Sequence, residues 1–260
     1  MSEAPVVITV EDVTIAYGDR VVQKNVSFDV RRGEVFVILG GSGCGKSSLL
    51  KNMIGLYRPT TGRILYDGED IATAEGDDRL RLLRKFGVMY QSGALFGSMT
   101  VLENVRLPLD EFTDIGAAEK ELIAAAKLNQ VGLLDAAARK PSALSGGMQK
   151  RAGIARAMAL DPGILFLDEP SAGLDPITSA ALDETILQLS RALGVTFVVV
   201  THELPSIFAI ADRVIMLDGQ LKGISATGTP RELSENPPSD WVRRFFHRES
   251  ESAHGAGART

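Results

Sequence analysis

The sequence predicts an α/β fold, with a mainly parallel β-sheet covered by helices, an antiparallel β part near the N-terminus and a helical insert. Alternating apolar and polar residues between Val6 and Val30 are typical of half-buried antiparallel strands. Apolar runs separated by segments of helical composition are typical of parallel strands covered on both faces. These runs lie at 35–39, 87–90, 164–167 and 196–201.

A helical insert is expected between residues 95 and 160. This stretch contains no strand-like run and is rich in alanine, leucine, glutamate and lysine. The antiparallel β part is expected on its N-terminal side, at about 6–35 and 60–72. The remainder of the chain would then form the mainly parallel core.

Residues 214–260 predict a β-hairpin and, at the end, a disordered tail. The turn dipeptide Asp218-Gly219 separates apolar runs at 214–217 and 221–225, which favours a β-hairpin. From residue 248 to 260 small and charged residues leave nothing to bury, so we expect a disordered tail there. We expect one folded domain over residues 6–247.

The composition is that of a folded protein in a reducing compartment. Hydrophobic residues make up 45% and charged residues 23% of the 260 residues, and the formal net charge is −5. This balance excludes a disordered chain and a global basic field for nucleic acid. The single cysteine, Cys44, excludes an internal disulfide.

No run approaches the ~20 apolar residues of a membrane span, and the N-terminus does not resemble a signal peptide. We therefore expect a cytosolic protein, with any membrane span supplied by another subunit.

A glycine-rich loop follows the first buried run and precedes a helix-like segment that begins at Ser48. It matches the phosphate-loop pattern G-x-x-x-x-G-K-[ST], as Gly40-Gly41-Ser42-Gly43-Cys44-Gly45-Lys46-Ser47. Glycines let backbone N–H groups turn toward a phosphate, and the helix N-terminus favours the negative charge. Lys46 is expected to reach the β- and γ-phosphates of ATP, and the Ser47 hydroxyl to ligate Mg²⁺. Cys44 is interpreted as a small filler in the loop rather than a redox group.

Two adjacent carboxylates, Asp168 and Glu169, end the buried run at 164–167. In parallel sheets ligands bind at the carboxyl ends of strands, so this pair is expected beside the phosphate loop. Asp168 would hold Mg²⁺ through water, and Glu169 would act as general base on the attacking water. Without the phosphate loop, an acidic pair that merely ends a strand would be the simpler interpretation.

A third motif identifies a family. The segment Leu144-Ser145-Gly146-Gly147-Met148-Gln149 resembles the signature motif of the ATP-binding cassette (ABC) ATPases. The resemblance implies a P-loop NTPase fold with a RecA-like core and a helical ABC insert. It also implies that Ser145 and the glycine backbone contact the ATP held by the opposite subunit. The family usually has glutamine where Met148 stands, so we expect the contact from the backbone of Ser145 to Gly147 rather than from that side chain.

The resemblance assigns four further features. Tyr17 resembles the aromatic residue that stacks on adenine, and Gln91 the glutamine that contacts Mg²⁺ and water and senses the membrane subunit. His202 resembles the histidine that binds the γ-phosphate. The loop that crosses the dimer interface corresponds to Ser171-Ala172-Gly173-Leu174-Asp175. From the residues alone, a core tyrosine, a polar strand end, a structural histidine and an ordinary turn remain open.

Further segments resemble the ATPases of bacterial MCE (Mla-type) phospholipid transport systems. They are Gln91-Ser92-Gly93-Ala94-Leu95-Phe96, Asp175-Pro176-Ile177-Thr178 and Ala192-Leu193-Gly194-Val195-Thr196. The resemblance implies a homodimer that closes over two ATP·Mg²⁺ and drives an MCE-type (MlaE-type) permease at the cytoplasmic face of the inner membrane. A periplasmic MCE protein and a STAS-domain protein are further expected partners. Cargo and direction are not encoded in the ATPase.

Other functions remain open. The chain could serve a lipoprotein, lipopolysaccharide or amino-acid transporter, or a soluble ABC ATPase of cofactor assembly. A nucleotide-gated scaffold without hydrolysis is disfavoured by Glu169 and His202. Near the C-terminus, Trp241, Val242, Phe245 and Phe246 form an apolar stripe at helical spacing. The stripe is interpreted either as a docking face for a neighbouring subunit or as packing onto the chain's own core.

Overall fold

A computed structural model describes residues 4–249. The ten strands of this part are β1 (Val6–Tyr17), β2 (Arg20–Arg31), β3 (Val35–Gly40), β4 (Thr61–Tyr66), β5 (Glu69–Asp70), β6 (Phe86–Met89), β7 (Ile164–Asp168), β8 (Thr196–Val200), β9 (Arg213–Asp218) and β10 (Gly223–Gly228). The nine α-helices of this part are α1 (Lys46–Met53), α2 (Gly76–Leu83), α3 (Val101–Phe112), α4 (Ala117–Gln130), α5 (Gly146–Ala157), α6 (Pro176–Leu193), α7 (Leu204–Ile210), α8 (Pro230–Glu235) and α9 (Asp240–His247).

A six-stranded sheet forms the centre of the fold, in the order β10-β9-β3-β8-β7-β6. Its neighbours pair in parallel, except for the antiparallel pair of β9 and β10. All residues of β3 and β8 are buried, as the continuous apolar runs predicted. Because the parallel strands end at one edge, the segments that follow β3, β6, β7 and β8 meet there.

A second, antiparallel sheet has the order β2-β1-β4-β5. The long strand β1 pairs with both β2 and β4, and its register shifts between Val10 and Val13. Asp12 lies at this irregularity with a φ of 47°, where the backbone of a bulge locally leaves the strand conformation. The predicted change from antiparallel to parallel character at the N-terminal side of β3 is confirmed.

The core divides into two layers on opposite faces of the central sheet. Alternate residues of β3 enter different layers, with Val37 packing toward the helices and Ile38 toward the antiparallel sheet. The helical layer includes buried residues of α3, α4, α5 and α6, and the other layer includes those of α1. The fold is therefore the predicted α/β class, with helices α3 to α6 on one face and the antiparallel sheet together with α1 on the other.

Residues 95–160 contain α3, α4, α5 and two short 3₁₀ turns, with no strand. Helix α3 begins with a capping box, in which Thr100 Oγ1 accepts a hydrogen bond from the Glu103 N–H and the Glu103 carboxylate accepts one from the Thr100 N–H. Helix α5 begins at Ser145 as its N-cap. In the part of the chain that the structure describes, no helix is long and apolar enough to span a bilayer.

The C-terminal segment differs from the prediction in detail. The turn at 219–222 is longer than expected, because the Asp218 carboxylate accepts hydrogen bonds from the N–H groups of Gln220 and Leu221. Strand β10 therefore begins at Gly223 instead of Leu221. The first two residues of the expected tail are ordered, since Arg248 ends α9 and the Glu249 carboxylate pairs with Arg243. The remainder of that tail, 250–260, lies outside the described residues.

Candidate functional site

A cleft of about 720 Å³ opens at the carboxyl edge of the central sheet. This volume lies within the range of ligand pockets in proteins, about 300–1,000 Å³. The cleft is lined by Tyr17, Arg20, Val22, Gly40, Gly41, Ser42, Gly43, Gly45, Lys46, Ser47, Ser48, Gln91, Glu169, His202 and Phe245. Of the residues expected to bind ATP, Cys44 does not line it. The Cys44 side chain is buried, and burial raises the pKa of its thiol, which fits the filler interpretation.

The phosphate loop needs its glycines for conformation and for space. Gly40 has a φ of 149°, and a Cβ there would lie 2.4 Å from the Leu217 carbonyl oxygen. Gly45 has a φ of 105°, and a Cβ there would lie 2.7 Å from the Val22 side chain. Neither position accepts another residue without strain. The loop is thus fixed between β3, β9 and β2.

Lys46 begins α1 and is buried with its charge directed back into the loop. Its Nζ donates hydrogen bonds to the carbonyl oxygens of Gly40, at 2.8 Å, and Gly41, at 3.1 Å. The ammonium group therefore lies at the mouth of the loop, where the N-terminus of α1 also favours an anion. This arrangement can bind a polyphosphate.

Tyr17 lines the cleft beside the end of the phosphate loop. Its side chain is 49% exposed, so it is not the buried core tyrosine that the residues alone left open. The Tyr17 hydroxyl donates a hydrogen bond to Ser48 Oγ at 3.2 Å, and the edge of Tyr57 packs against the ring at 6.3 Å between centroids. The ring is thus held at the cleft while about half exposed, so a planar ligand in the cleft can stack on it.

Glu169 occupies an unusual backbone position directly after β7. Its φ is 47°, in the left-handed region that disfavours residues other than glycine. The Glu169 N–H donates to the Val200 carbonyl oxygen at 2.8 Å, which fixes this conformation. Strain of this kind is common at active sites, where the surrounding structure maintains it.

The Glu169 carboxylate is presented to the cleft by His202. His202 Nδ1 lies 2.8 Å from Glu169 Oε1, whereas Glu169 Oε2 is buried without a hydrogen-bond partner among residues 4–249. His202 itself is exposed, with 57% of its side chain accessible. The pair therefore offers one oriented carboxylate oxygen and one accessible ring nitrogen, an arrangement suited to activating a water molecule.

Asp168 lies behind Glu169, at the end of β7. Its Oδ1 atom is buried and has no hydrogen-bond partner in the described part of the chain. Burial raises the pKa of Asp168, the neighbouring Glu169 carboxylate raises it further, and the lysine cations nearby lower it. Such an oxygen requires a cation or a water molecule to satisfy it.

Gln91 follows β6 and lines the cleft. A lysine that the sequence motifs did not indicate contacts its backbone. Lys150, on α5, donates hydrogen bonds to the carbonyl oxygens of Gln91 and Glu169, the latter at 3.2 Å. Burial lowers the pKa of Lys150, while the carboxylates of Glu169 and Asp168 oppose this shift. Arg20, Val22 and Phe245 also line the cleft without having been predicted.

The predicted signature residues lie outside the cleft of their own chain. Ser145 and Gly146 are exposed, and Ser145 Oγ accepts a hydrogen bond from the Met148 N–H at 3.3 Å as the N-cap of α5. Met148 packs against the chain's own core, and the Gln149 amide donates to the carbonyl oxygens of Pro141 and Leu144. The exposed helix N-terminus is left to bind an anion from another molecule.

The predicted interface loop, 171–175, lies against the signature motif. Asp175 caps α6 by accepting hydrogen bonds from the N–H groups of Ile177, at 3.1 Å, and Thr178, at 3.0 Å. A Cβ on Gly147 would lie 2.3 Å from the Thr178 side chain, so this close contact requires glycine. The start of α5 and the start of α6 therefore form one continuous surface.

The C-terminal stripe packs onto the chain itself. Val242 and Phe246 are buried in the core, and Trp241 and Phe245 pack against it. Trp241 would touch a Cβ built on Gly41 at 3.3 Å, so α9 supports the phosphate loop from outside. The contacts agree with the second interpretation, packing onto the chain's own core.

Comparisons with known proteins match most of this chain. A sequence model of the ABC transporter family matches residues 23–172. The Intermembrane phospholipid transport system ATP-binding protein MlaF of Escherichia coli K12 is 41% identical over 239 residues, which cover 92% of this chain and 88% of MlaF. The Probable ribonucleotide transport ATP-binding protein mkl of Mycobacterium leprae is 42% identical over 242 residues, which cover 93% of this chain and 69% of that protein.

A solved structure supports the fold and the chemistry. It is the dimeric post-hydrolysis state of the ATP-binding cassette MJ0796 bound to ADP and Pi, with a TM-score of 0.75 and 30% sequence identity. The match covers 85% of this chain and 98% of that chain. The chain therefore belongs to the ABC transporter family, as an ATP-binding and ATP-hydrolysing subunit homologous to MlaF.

Proposed function

We propose that two copies of this chain close over two ATP molecules, hydrolyse them and thereby power phospholipid transport between the inner and outer membranes. The observation that carries the proposal is the separation of two halves of one site. The cleft holds the phosphate loop and the Glu169–His202 pair, while Ser145 at the N-terminus of α5 is exposed and does not line it. A second copy is needed to bring these halves together.

The residues of the cleft that the sequence predicted then have roles in binding and hydrolysis. Tyr17 stacks on adenine, and the loop from Gly40 to Ser48 binds the phosphates through its N–H groups and Lys46. Glu169 accepts a proton from the attacking water, and His202 orients Glu169 and donates toward the γ-phosphate. The loop 171–175 contacts the other copy beside Ser145.

Mg²⁺ fits the oxygen groups at this site. Ser47, Gln91 and Asp168 would hold the ion, because hydroxyl, amide and carboxylate oxygens are its preferred ligands and Asp168 Oδ1 is buried without a partner. In residues 4–249 no three His, Cys, Asp or Glu side chains form a metal site of their own, so the phosphates would supply the remaining ligands. When bound, the ion neutralises charge that develops on the phosphate oxygens.

The membrane partner is inferred from the relatives and from an exposed segment. Phe96, in the segment that follows Gln91, is 51% exposed and is available to a permease. We infer an MCE-type permease, a periplasmic MCE protein and a STAS-domain protein, with the ATPase peripheral to the cytoplasmic face of the inner membrane. The name of MlaF refers to phospholipid transport, which favours phospholipid as cargo, whereas the name of mkl refers to ribonucleotide transport. ATP-dependent movement of labelled phospholipid or labelled ribonucleotide by the ATPase–permease complex reconstituted in vesicles would separate the two, since phospholipid movement supports the first and ribonucleotide movement the second.

Complementation between two inactive variants tests the shared site. Ser145→Arg should disable the site of the other copy, and Lys46→Ala the site in its own copy. Each pure variant should hydrolyse almost no ATP, but an equal mixture contains mixed dimers with one complete site. Activity should therefore return to at most about one quarter of the wild-type rate, because half the dimers are mixed and each has one of two sites. A mixture no more active than its components would contradict the proposal.

A further inference from the structure

One face of α5 contacts Gln91 and the segment that follows it through three residues, one on each of three successive helical turns. Lys150 donates to the Gln91 carbonyl oxygen, and Arg156 donates to the carbonyl oxygens of Gly93, at 2.9 Å, and Ala94, at 2.7 Å. Between them, a Cβ built on Gly153 would lie 3.1 Å from the Gly93 Cα. These residues are three apart and so lie on one side of the helix. The segment is held through its backbone and cannot shift without α5.

Lys150 differs from the other two residues because it also reaches the hydrolytic site. Its side chain is 6% exposed, and its Nζ donates at 3.2 Å to the carbonyl oxygen of Glu169. Glu169 has a strained backbone, so a donor on its carbonyl oxygen helps to hold that conformation. One ammonium group thus joins two residues of the cleft that follow different strands, Gln91 after β6 and Glu169 after β7.

We propose that Lys150 is a positioning residue for hydrolysis, which fixes the Gln91 segment and Glu169 relative to one another within its own chain. This inference rests on the function proposed above for Glu169. The ammonium group does not line the cleft, so it acts through the backbone of these two residues. Misplacement of a general base by about 1 Å is enough to slow a reaction on the order of 100-fold.

Steady-state ATP hydrolysis by Lys150→Met tests the proposal against a matched control. Lys127, on α4, is likewise 6% exposed, and it pairs with Asp161 away from the cleft. Lys127→Met therefore reports how much the loss of a buried lysine alone changes kcat. We expect Lys150→Met to lower kcat about 10- to 100-fold with KM for ATP within about threefold of wild type. Lys127→Met should retain the wild-type kcat, and Lys150→Arg should recover part of the loss.

The mixed dimer separates positioning from general damage to the fold. In the Ser145→Arg and Lys46→Ala mixture, only the Ser145→Arg copy contributes the phosphate loop and Glu169 of the complete site. Lys150→Met added to that copy should abolish most of the recovered activity, whereas the same change in the Lys46→Ala copy should have little effect. Equal losses from both placements, or a loss confined to the second, would overturn the inference. If the methionine variant does not fold, Lys150→Gln is tested in the same two placements.

Failure of the inference can be distinguished from failure of the proposed function. If Glu169→Gln abolishes hydrolysis but Lys150→Met matches Lys127→Met, the inference alone is wrong. If Glu169→Gln retains the wild-type rate, the general-base role of Glu169 is wrong, and the role of Lys150 is wrong with it.

Discussion

At the scale of single residues, the site depends on polar atoms that have no partner inside the chain. Glu169 Oε2 and Asp168 Oδ1 are both buried and unpaired among the described residues. Unsatisfied buried oxygens are costly, and they persist where a ligand completes them. His202 completes only one side of the Glu169 carboxylate, through Oε1. The other oxygen, Oε2, is left without a partner among residues 4–249.

His202→Ala should lower kcat for ATP hydrolysis on the order of 100-fold or more, because the general base loses the group that orients it. The KM for ATP should change only a few-fold, since the phosphate loop is intact. Steady-state kinetics at saturating Mg²⁺ would measure both. His247→Ala is the control, because that ring contacts Ser234 in the C-terminal segment. A His202→Ala variant with the wild-type kcat would rule out this role.

The positions of Glu169 and His202 could be predicted from sequence because Glu169 directly follows the buried strand β7 and His202 comes two residues after the buried strand β8. The carboxyl ends of parallel strands meet, so local patterns are enough to bring these residues together. Lys150 could not be found in this way. It lies in a helix, 59 positions from Gln91, and a lysine at that place has the pattern of a solvated helix face. Phe245 was recognised as part of an apolar stripe, but the direction of that stripe depends on tertiary packing.

At the scale of elements, helices α6 and α7 connect the interface loop to the segment after His202. Asp183 of α6 is buried near Ser206 of α7, and Asp183 Oδ1 has no hydrogen-bond partner in residues 4–249. Burial raises the pKa of Asp183, and the hydrogen bond with Ser206 opposes that shift. Ser206 Oγ also lies 3.3 Å from Ser179 Oγ. This small polar cluster joins the two helices.

Asp183→Asn should raise the thermal stability of the protein at neutral pH. A carboxyl with a raised folded pKa binds its proton more tightly in the folded state, so its ionisation destabilises the fold as the pH rises above the unfolded value of about 3.9. The gain in Tm should therefore be present at pH 7.5 and disappear near pH 4. Asp114→Asn, at an exposed position, should show no such difference. A lower Tm for Asp183→Asn at pH 7.5 would show that the carboxylate contributes a stabilising contact.

At the scale of the whole molecule, one chain presents two incomplete surfaces. The cleft at the carboxyl edge of the central sheet contains the phosphate loop and the general base. The starts of α5 and α6 form a second surface, held together by the Gly147–Thr178 contact. The two surfaces are joined within the chain by Lys150 and by the packing of α5 against the central sheet. In a symmetric dimer each surface of one copy would meet the other surface of its partner.

We expect ATP to hold two copies of the chain together until it is hydrolysed. Light scattering of the Glu169→Gln protein measures this dimerisation. Arrested hydrolysis should trap the closed state, so the molar mass should double with ATP·Mg²⁺ and remain that of a monomer with ADP·Mg²⁺. Adding Ser145→Arg to Glu169→Gln should prevent the doubling, because the second half of each site is lost. A Glu169→Gln protein that stays monomeric with saturating ATP·Mg²⁺, or that dimerises equally with ADP, would contradict the account.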